Sequence, residues 1–138
     1  MTADIVRLTP ANTALLARVA DEVFDDEIVP ARVAAFLAES GHLMLLAVDD
    51  GLVVGQLAAI VHRHPDQATE LYLDNLGVAP SHQRQGIARR LMEAMLDLGR
   101  SLGCEEAWVG TEVDNEPARG LYARYAEGGT FALYEFDL

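Results

Sequence analysis

The chain has 138 residues, 51% of them hydrophobic, which suits one domain spanning 1–138 around one substantial core. Its net charge is −12, so nucleic acid and anionic membrane surfaces are poor partners and cationic solutes good ones. Cys104 is the only cysteine, which excludes a disulfide framework and a cysteine-based zinc site; no metal is expected. No run of eighteen apolar residues is present, and the N-terminus has no basic stretch leading into an apolar one, so a cytoplasmic protein is expected. Lysine is absent and every basic side chain is arginine, a bias that nothing in the chemistry requires.

The elements follow one another without repeats or linkers. Asp4 to Leu8 reads as a strand. Thr9 then caps a helix with Pro10 at its first position, and Leu15, Leu16, Val19 and Val23 keep helical spacing. Pro30 opens a second helix, carrying Val33, Phe36 and Leu37 and ending at Gly41. His42 to Val48 and Leu52 to His62 form a hairpin about Asp49-Asp50-Gly51, and Glu70 to Val78 is the next strand. From Arg84 to about Leu102 runs a long helix with Ile87, Leu91, Met95, Leu98 and Leu102 on one stripe. Glu105 to Thr111 is a strand, Asn115 or Asp114 caps a short helix containing Tyr122, and Phe131 to Phe136 is a last strand.

The stretch from Leu76 to Met92 carries the strongest functional signal. A buried strand ends at Val78, Pro80 turns the chain, and a loop containing Gly86 runs into the long helix. A helix start offers unpaired N–H groups and the positive end of a dipole, and Gly86 leaves room for close backbone approach. Arg84, Arg89 and Arg90 lie within seven positions, and without them the net charge is −15. The loop is therefore read as an anion site. It has neither the Gly-x-x-x-x-Gly-Lys-Ser/Thr spacing of nucleotide hydrolases nor the Gly-x-Gly-x-x-Gly of dinucleotide folds.

Gln83-x-x-Gly86-x-Ala88, placed after Val78-x-Pro80, resembles the acetyl-CoA pyrophosphate loop of the GNAT N-acetyltransferase superfamily. Asn115-Glu116-Pro117-Ala118-Arg119-Gly120-Leu121-Tyr122 resembles a second signature of that superfamily, Asn-x-x-Ala-x-x-Leu-Tyr. The resemblance covers most of the chain, from about Ile5 onward. It implies an α/β mixed sheet in the order β-α-α-β-β-β-α-β-α-β, with the fourth and fifth strands splayed to admit acetyl-CoA. It also implies cofactor contacts by Leu76, Val78, Gln83, Arg84, Gln85, Gly86, Ile87, Ala88, Arg89, Asn115, Ala118 and Tyr122. A homodimer is compatible with it.

Acetyl transfer to an amine needs a neutral amine, a polarised carbonyl and a proton for the leaving thiolate. If Glu70–Val78 lies beside the cofactor, main-chain groups of Leu76 to Val78 can polarise the thioester and bond the pantetheine arm. Tyr122 takes the acid role that the resemblance implies; a phenol with a pKa of about 10 suits a thiolate. Direct attack in a ternary complex fits the lack of a well-placed cysteine, which leaves Cys104 a minor candidate as acyl carrier. Strand alternation puts Glu70, Tyr72, Asp74, Leu76 and Val78 on one face, so Asp74 and Glu70 are candidate bases. His62 and His64 are alternatives by their ordinary pKa.

Within the superfamily the chain looks closest to aminoglycoside 3-N-acetyltransferases of the antibiotic-resistance type. That likeness rests on Glu70-Leu71-Tyr72-Leu73, on the loop, on Glu116-Pro117-Ala118 with Leu121-Tyr122, and on the terminal Phe136-Asp137-Leu138. A polycationic acceptor would suit Asp25, Asp26, Glu27, Asp74, Glu135 and Asp137. The chain departs from that type at Asp74-Asn75, where Tyr-Asp is usual, and at Ala126, where a glycine is usual. Other acceptors, a polyamine or a protein N-terminus, remain alternatives, as does an acetyl-CoA-binding sensor without catalysis.

Overall fold

Seven consecutive residues, Val53–Ala59, are buried, a pattern expected of a strand covered on both faces rather than on one. They form the middle of β3 (Leu52–His62), the central strand of a five-stranded sheet. A computed structural model describes residues 3–138. Within them the sheet runs β1 (Asp4–Arg7), β2 (His42–Asp49), β3, β4 (Glu70–Val78) and β5 (Glu106–Val109) in spatial order. The first four strands are antiparallel and β5 is parallel to β4, so its connection needs a crossover, which α2 (Ile87–Ser101) supplies. The β2–β3 hairpin turns on Asp50 and Gly51, both with positive φ, as a two-residue turn matched to strand twist demands.

The two faces of the sheet are covered differently. On one, α2 buries Ile87, Leu91, Met92 and Met95 against core residues that include Leu57, Leu71 and Leu73. On the other lie a 3₁₀ turn (Thr13–Ala17), the chain from Arg18 to Val29 and helix α1 (Pro30–Ala38). The carbonyl of Val23 sits on Gly77, where a Cβ would collide with it. Helix α3 (Glu116–Tyr122) packs Leu121 and Tyr122 on the edge of the core.

Four expectations need correction. The helix expected after Thr9 shrinks to the 3₁₀ turn, because the Asn12 side chain accepts from the Thr9 N–H and donates to the Arg7 carbonyl, tying the chain into a turn. Beyond it, Val19 runs extended beside Val53, and residues 18 and 20 exchange main-chain bonds with Val53. Helix α2 starts at Ile87 rather than Arg84, since Arg84 and Gly86 both hold left-handed φ, which no right-handed helix contains. The last strand expected at Phe131–Phe136 is not formed; that segment pairs with no strand, and Phe131, Leu133, Tyr134 and Phe136 are exposed.

The fourth correction concerns β4. Ala58 pairs with Asn75 but Ala59 with Leu73, so Asp74 is an extra residue in a β-bulge. A bulge resets alternation. Glu70 and Tyr72 pair with His62 and Ile60, and therefore share a face with Ala58, Asn75, Gln56 and Gly77. Leu76 and Val78, paired with Leu57 and Gly55, point to the opposite, α2 face. Glu70, Tyr72, Asp74, Leu76 and Val78 thus do not line one face.

Candidate active site

The anion loop is built by three local devices. Pro80–His82 forms a 3₁₀ turn, Gln83 Nε2 donates to the Val78 carbonyl at 3.2 Å, and Arg84 and Gly86 take left-handed backbone. The first bond of α2 runs from the Arg90 N–H to the Gly86 carbonyl, so the N–H groups of Ile87, Ala88 and Arg89 fall outside the helical ladder. Apart from its neighbours in the chain, no described atom lies within 4 Å of the place a Cβ would take on Gly86, so the backbone is open on that side. Exposed N–H groups, a helix dipole and two flanking arginines fit a pyrophosphate. The Ile87 side chain itself is buried in the core, leaving only its main chain to meet a ligand, and Arg89 pairs with Glu93 at 3.2 Å. Gln85 is exposed and Ala88 half-buried.

His82 was not singled out from the sequence. Its Nε2 lies 2.8 Å from Asp49 Oδ2 and its Nδ1 lies 2.8 Å from Ser81 Oγ, which ties the start of the loop to the β2–β3 hairpin. A lone histidine before a glycine loop carries no sequence sign of such a partner thirty-three residues away.

The β4–β5 ladder covers four pairs, from Glu70↔Glu106 to Leu73↔Val109. Beyond it, Asp74–Val78 pairs with no strand on that side among the described residues. Main-chain groups of Leu76 and the Val78 N–H therefore face the fork, while the Val78 carbonyl accepts from Gln83. Tyr122 lies on α3, whose Asn115 cap accepts from the Ala118 N–H at 3.2 Å. This bond engages the Asn115 side-chain oxygen and fixes Ala118 in the first turn. Burial raises the Tyr122 phenol above its ordinary pKa, which keeps it protonated and able to donate.

On the face opposite α2, a groove of about 340 Å³ opens beside the bulge. Asp25, Asp26 and Glu27, from the loop before α1, and Asp74 line it together; Phe24, Phe36, Met44 and Ala58 supply apolar walls. Asp25, Asp26, Glu27 and Asp74 are exposed carboxylates, so the groove's charge favours a cation. Tyr72 is raised above its ordinary pKa, first by burial and then by the Asp74 carboxylate. Gln56 and Asn75 also line the groove. The sign in the sequence was Gln56 itself, the one amide in the apolar run Leu52–Val61.

Other expected residues are not brought to the groove. Glu70 stands at the closed end of β4, about 26 Å along the strand from Val78, and its Oε1 lies 2.9 Å from His64 Nε2. The His62 ring lies tilted against that of His64 at that same end. Glu135 and Asp137 lie in the exposed C-terminal segment and do not line the groove. Cys104 sits beside the C-terminal end of α2, with Leu71, Gly99 and Arg100, and burial raises its thiol against a smaller lowering effect of Arg63. A protonated thiol a helix length from the anion loop is no acyl carrier.

Comparison with known proteins agrees with this architecture. Residues 10–126 match the Acetyltransferase (GNAT) family. The N-alpha-acetyltransferase 30 of Schizosaccharomyces pombe is 29% identical over 103 residues, which cover 75% of this chain and 69% of that protein. A mycothiol acetyltransferase of Clavibacter sepedonicus is 31% identical over 136 residues, 87% of this chain but 44% of that protein. A solved aminoglycoside acetyltransferase from an uncultured soil metagenomic sample superposes with a TM-score of 0.85 at 28% identity, covering 100% of this chain and 99% of the other. The aminoglycoside N-acetyltransferase AAC(6')-Iy in complex with CoA shares the fold, with a TM-score of 0.77 at 18% identity, covering 98% of each chain. The chain belongs to the GNAT acetyltransferase family, enzymes that draw their acetyl group from acetyl-CoA.

Proposed function

We propose that this acetyltransferase acts on a primary amine of a small polycationic acceptor, an aminoglycoside first among them. The observation that carries this reading is the convergence of Asp25, Asp26, Glu27 and Asp74 on one groove beside the unpaired half of β4. Four carboxylates hold several ammonium groups at once, and each weak exposed pair adds to a larger total. The soil aminoglycoside acetyltransferase, 28% identical along the full chain, supports the same acceptor class.

Acetyl-CoA supplies the activated thioester. In the proposed reaction Asp74, directly or through water, takes the proton that the attacking amine releases. Main-chain groups of Leu76 and Val78 hold the pantetheine arm and polarise the carbonyl, and Tyr122 donates a proton to the departing sulfur. Gln83 to Arg89 hold the pyrophosphate, with Asn115 and Ala118 alongside the pantetheine. Attack is direct, in a ternary complex. The 3-N position rests on the sequence resemblance alone, whereas one solved neighbour sharing the fold is AAC(6')-Iy.

A second reading, acetylation of a protein N-terminus, is favoured by the apolar wall of Phe24, Phe36 and Met44, which suits a first side chain. The yeast N-alpha-acetyltransferase 30 points the same way. Thiol release with acetyl-CoA and a panel of gentamicin-type aminoglycosides, spermidine and short peptides tests the choice, and mapping the product gives the position. Release with peptides alone would overturn the aminoglycoside reading; binding of acetyl-CoA without turnover would favour a sensor. The exposed Phe131, Leu133, Tyr134 and Phe136 support a homodimer, which sedimentation velocity tests.

A further inference from the structure

Gln56 is fully buried, yet its Oε1 has no hydrogen-bond partner among the described residues. Its neighbours set which end of the amide is oxygen. Nε2 donates to the Val23 carbonyl at 3.2 Å and to Asn75 Oδ1, and Asn75 Nδ2 in turn donates to Asp25 Oδ2 at 3.2 Å. Reversing the Gln56 amide would set its oxygen against the Val23 carbonyl. The orientation is therefore determined by the chain Val23–Gln56–Asn75–Asp25, and the remaining acceptor belongs to a residue that lines the acidic groove. A buried carbonyl oxygen left unmatched costs free energy unless a ligand brings a donor to it.

We infer that Gln56 Oε1 is a specificity-determining contact for the acceptor, receiving an N–H or O–H other than the amine that reacts. This rests on the reading of the groove as the acceptor site. Oε1 has no exposed surface in the groove, so the contact forms only as an acceptor parts the side chains over it. The groove then selects a molecule with an amine for acetylation and a second donor that reaches Gln56. Asn75 positions that oxygen, and Asp25, at the far end of the hydrogen-bond chain, joins it to the carboxylates at the rim. The inference adds to the rim charge a discrimination that charge cannot supply. A site built around a buried acceptor rejects an analogue lacking the matching donor far more strongly than one built on apolar contact alone.

The test compares linear amino alcohols of two to six carbons with alkylamines of the same length. The members of each pair carry the same charge, so the rim carboxylates treat them alike. Binding to the CoA-loaded protein is followed by calorimetry, and acetylation by thiol release. The wild type should prefer the amino alcohol at one chain length, and Gln56→Met should lower that preference by about tenfold while leaving CoA affinity unchanged. A preference unchanged in Gln56→Met, or absent from the wild type at every length, would overturn the inference. If Gln56→Met does not fold, Asn75→Ala leaves Gln56 in place but frees its amide, and the preference should still fall. The expected binding preference with no acetylation of any amine would sink the proposed function and leave this contact standing.

Discussion

Gly77 lies directly beneath the carbonyl of Val23, with no room between them for a methyl group. The same carbonyl accepts from Gln56, so one backbone contact seats the acidic loop on β3 and β4 together. Gly77→Ala should cost about 1–3 kcal/mol of stability through overpacking against backbone. It should also loosen the loop that carries Asp25, Asp26 and Glu27. Urea unfolding reads the first effect and acceptor KM the second, with acetyl-CoA affinity little changed.

Gly86 opens the anion loop, and its left-handed backbone and empty surroundings leave space above the start of α2. Gly86→Trp should reduce acetyl-CoA affinity at least tenfold, measured by calorimetry, by filling that space. Gly103→Ala is the control, since Gly103 also has positive φ but follows the other end of α2. It should cost about 1 kcal/mol and leave acetyl-CoA affinity as it was.

Tyr122 is held protonated by its burial. Tyr122→Phe should lower kcat by about 10²-fold and move acetyl-CoA affinity by less than twofold. Linkage gives a second readout. Below about pH 10 both folded and unfolded chains keep the phenol proton, and this group's contribution is fully present. Above that the unfolded chain ionises first, so stability falls as pH rises through the raised folded pKa. Tyr72, also raised, acts in the same direction. Thermal unfolding between pH 9 and 11 should therefore fall less steeply in Tyr122→Phe than in the wild type.

Asp74 contributes to the raised pKa of Tyr72, after burial. Asp74→Asn should bring the Tyr72 titration down toward its ordinary value without restoring it fully, as followed by phenolate absorbance. If Asp74 is the base, the same variant should lose most of the wild-type rate at neutral pH. The low-pH limb of the wild-type profile should disappear with it. A uniform loss at every pH, with the limb retained, would assign Asp74 to acceptor binding instead.

Much of this protein was legible in its residues because the relevant physics is local. The β2–β3 hairpin followed from Asp50-Gly51, the cap of α3 from Asn115, and the anion loop from a strand, a proline and Gly86 placed before an amphipathic helix. Residues 25–27 were legible as an acidic cluster by charge alone, and the structure places all three on one groove. What failed depended on partners distant in the chain. Val19 left its helical pattern because Val53 offered main-chain bonds, and Phe131–Phe136 has strand spacing but no paired neighbour.

The bulge at Asp74 marks the boundary most clearly. Period-two reasoning assigns every second residue of Glu70–Val78 to one face, and no residue in that stretch announces that the count restarts. Only pairing with β3 decides it, because one extra residue between Ala58 and Ala59 partners exchanges the two faces from there onward. Tertiary structure alone likewise brought Val23, Gln56, Asn75 and Asp25 into one chain of hydrogen bonds. The sequence by itself determined the family and, with it, the acetyl donor, since these reside in contiguous motifs. The acidic groove was decided by packing between groups nineteen to fifty residues apart, where side-chain spacing carries no information about which groups will meet.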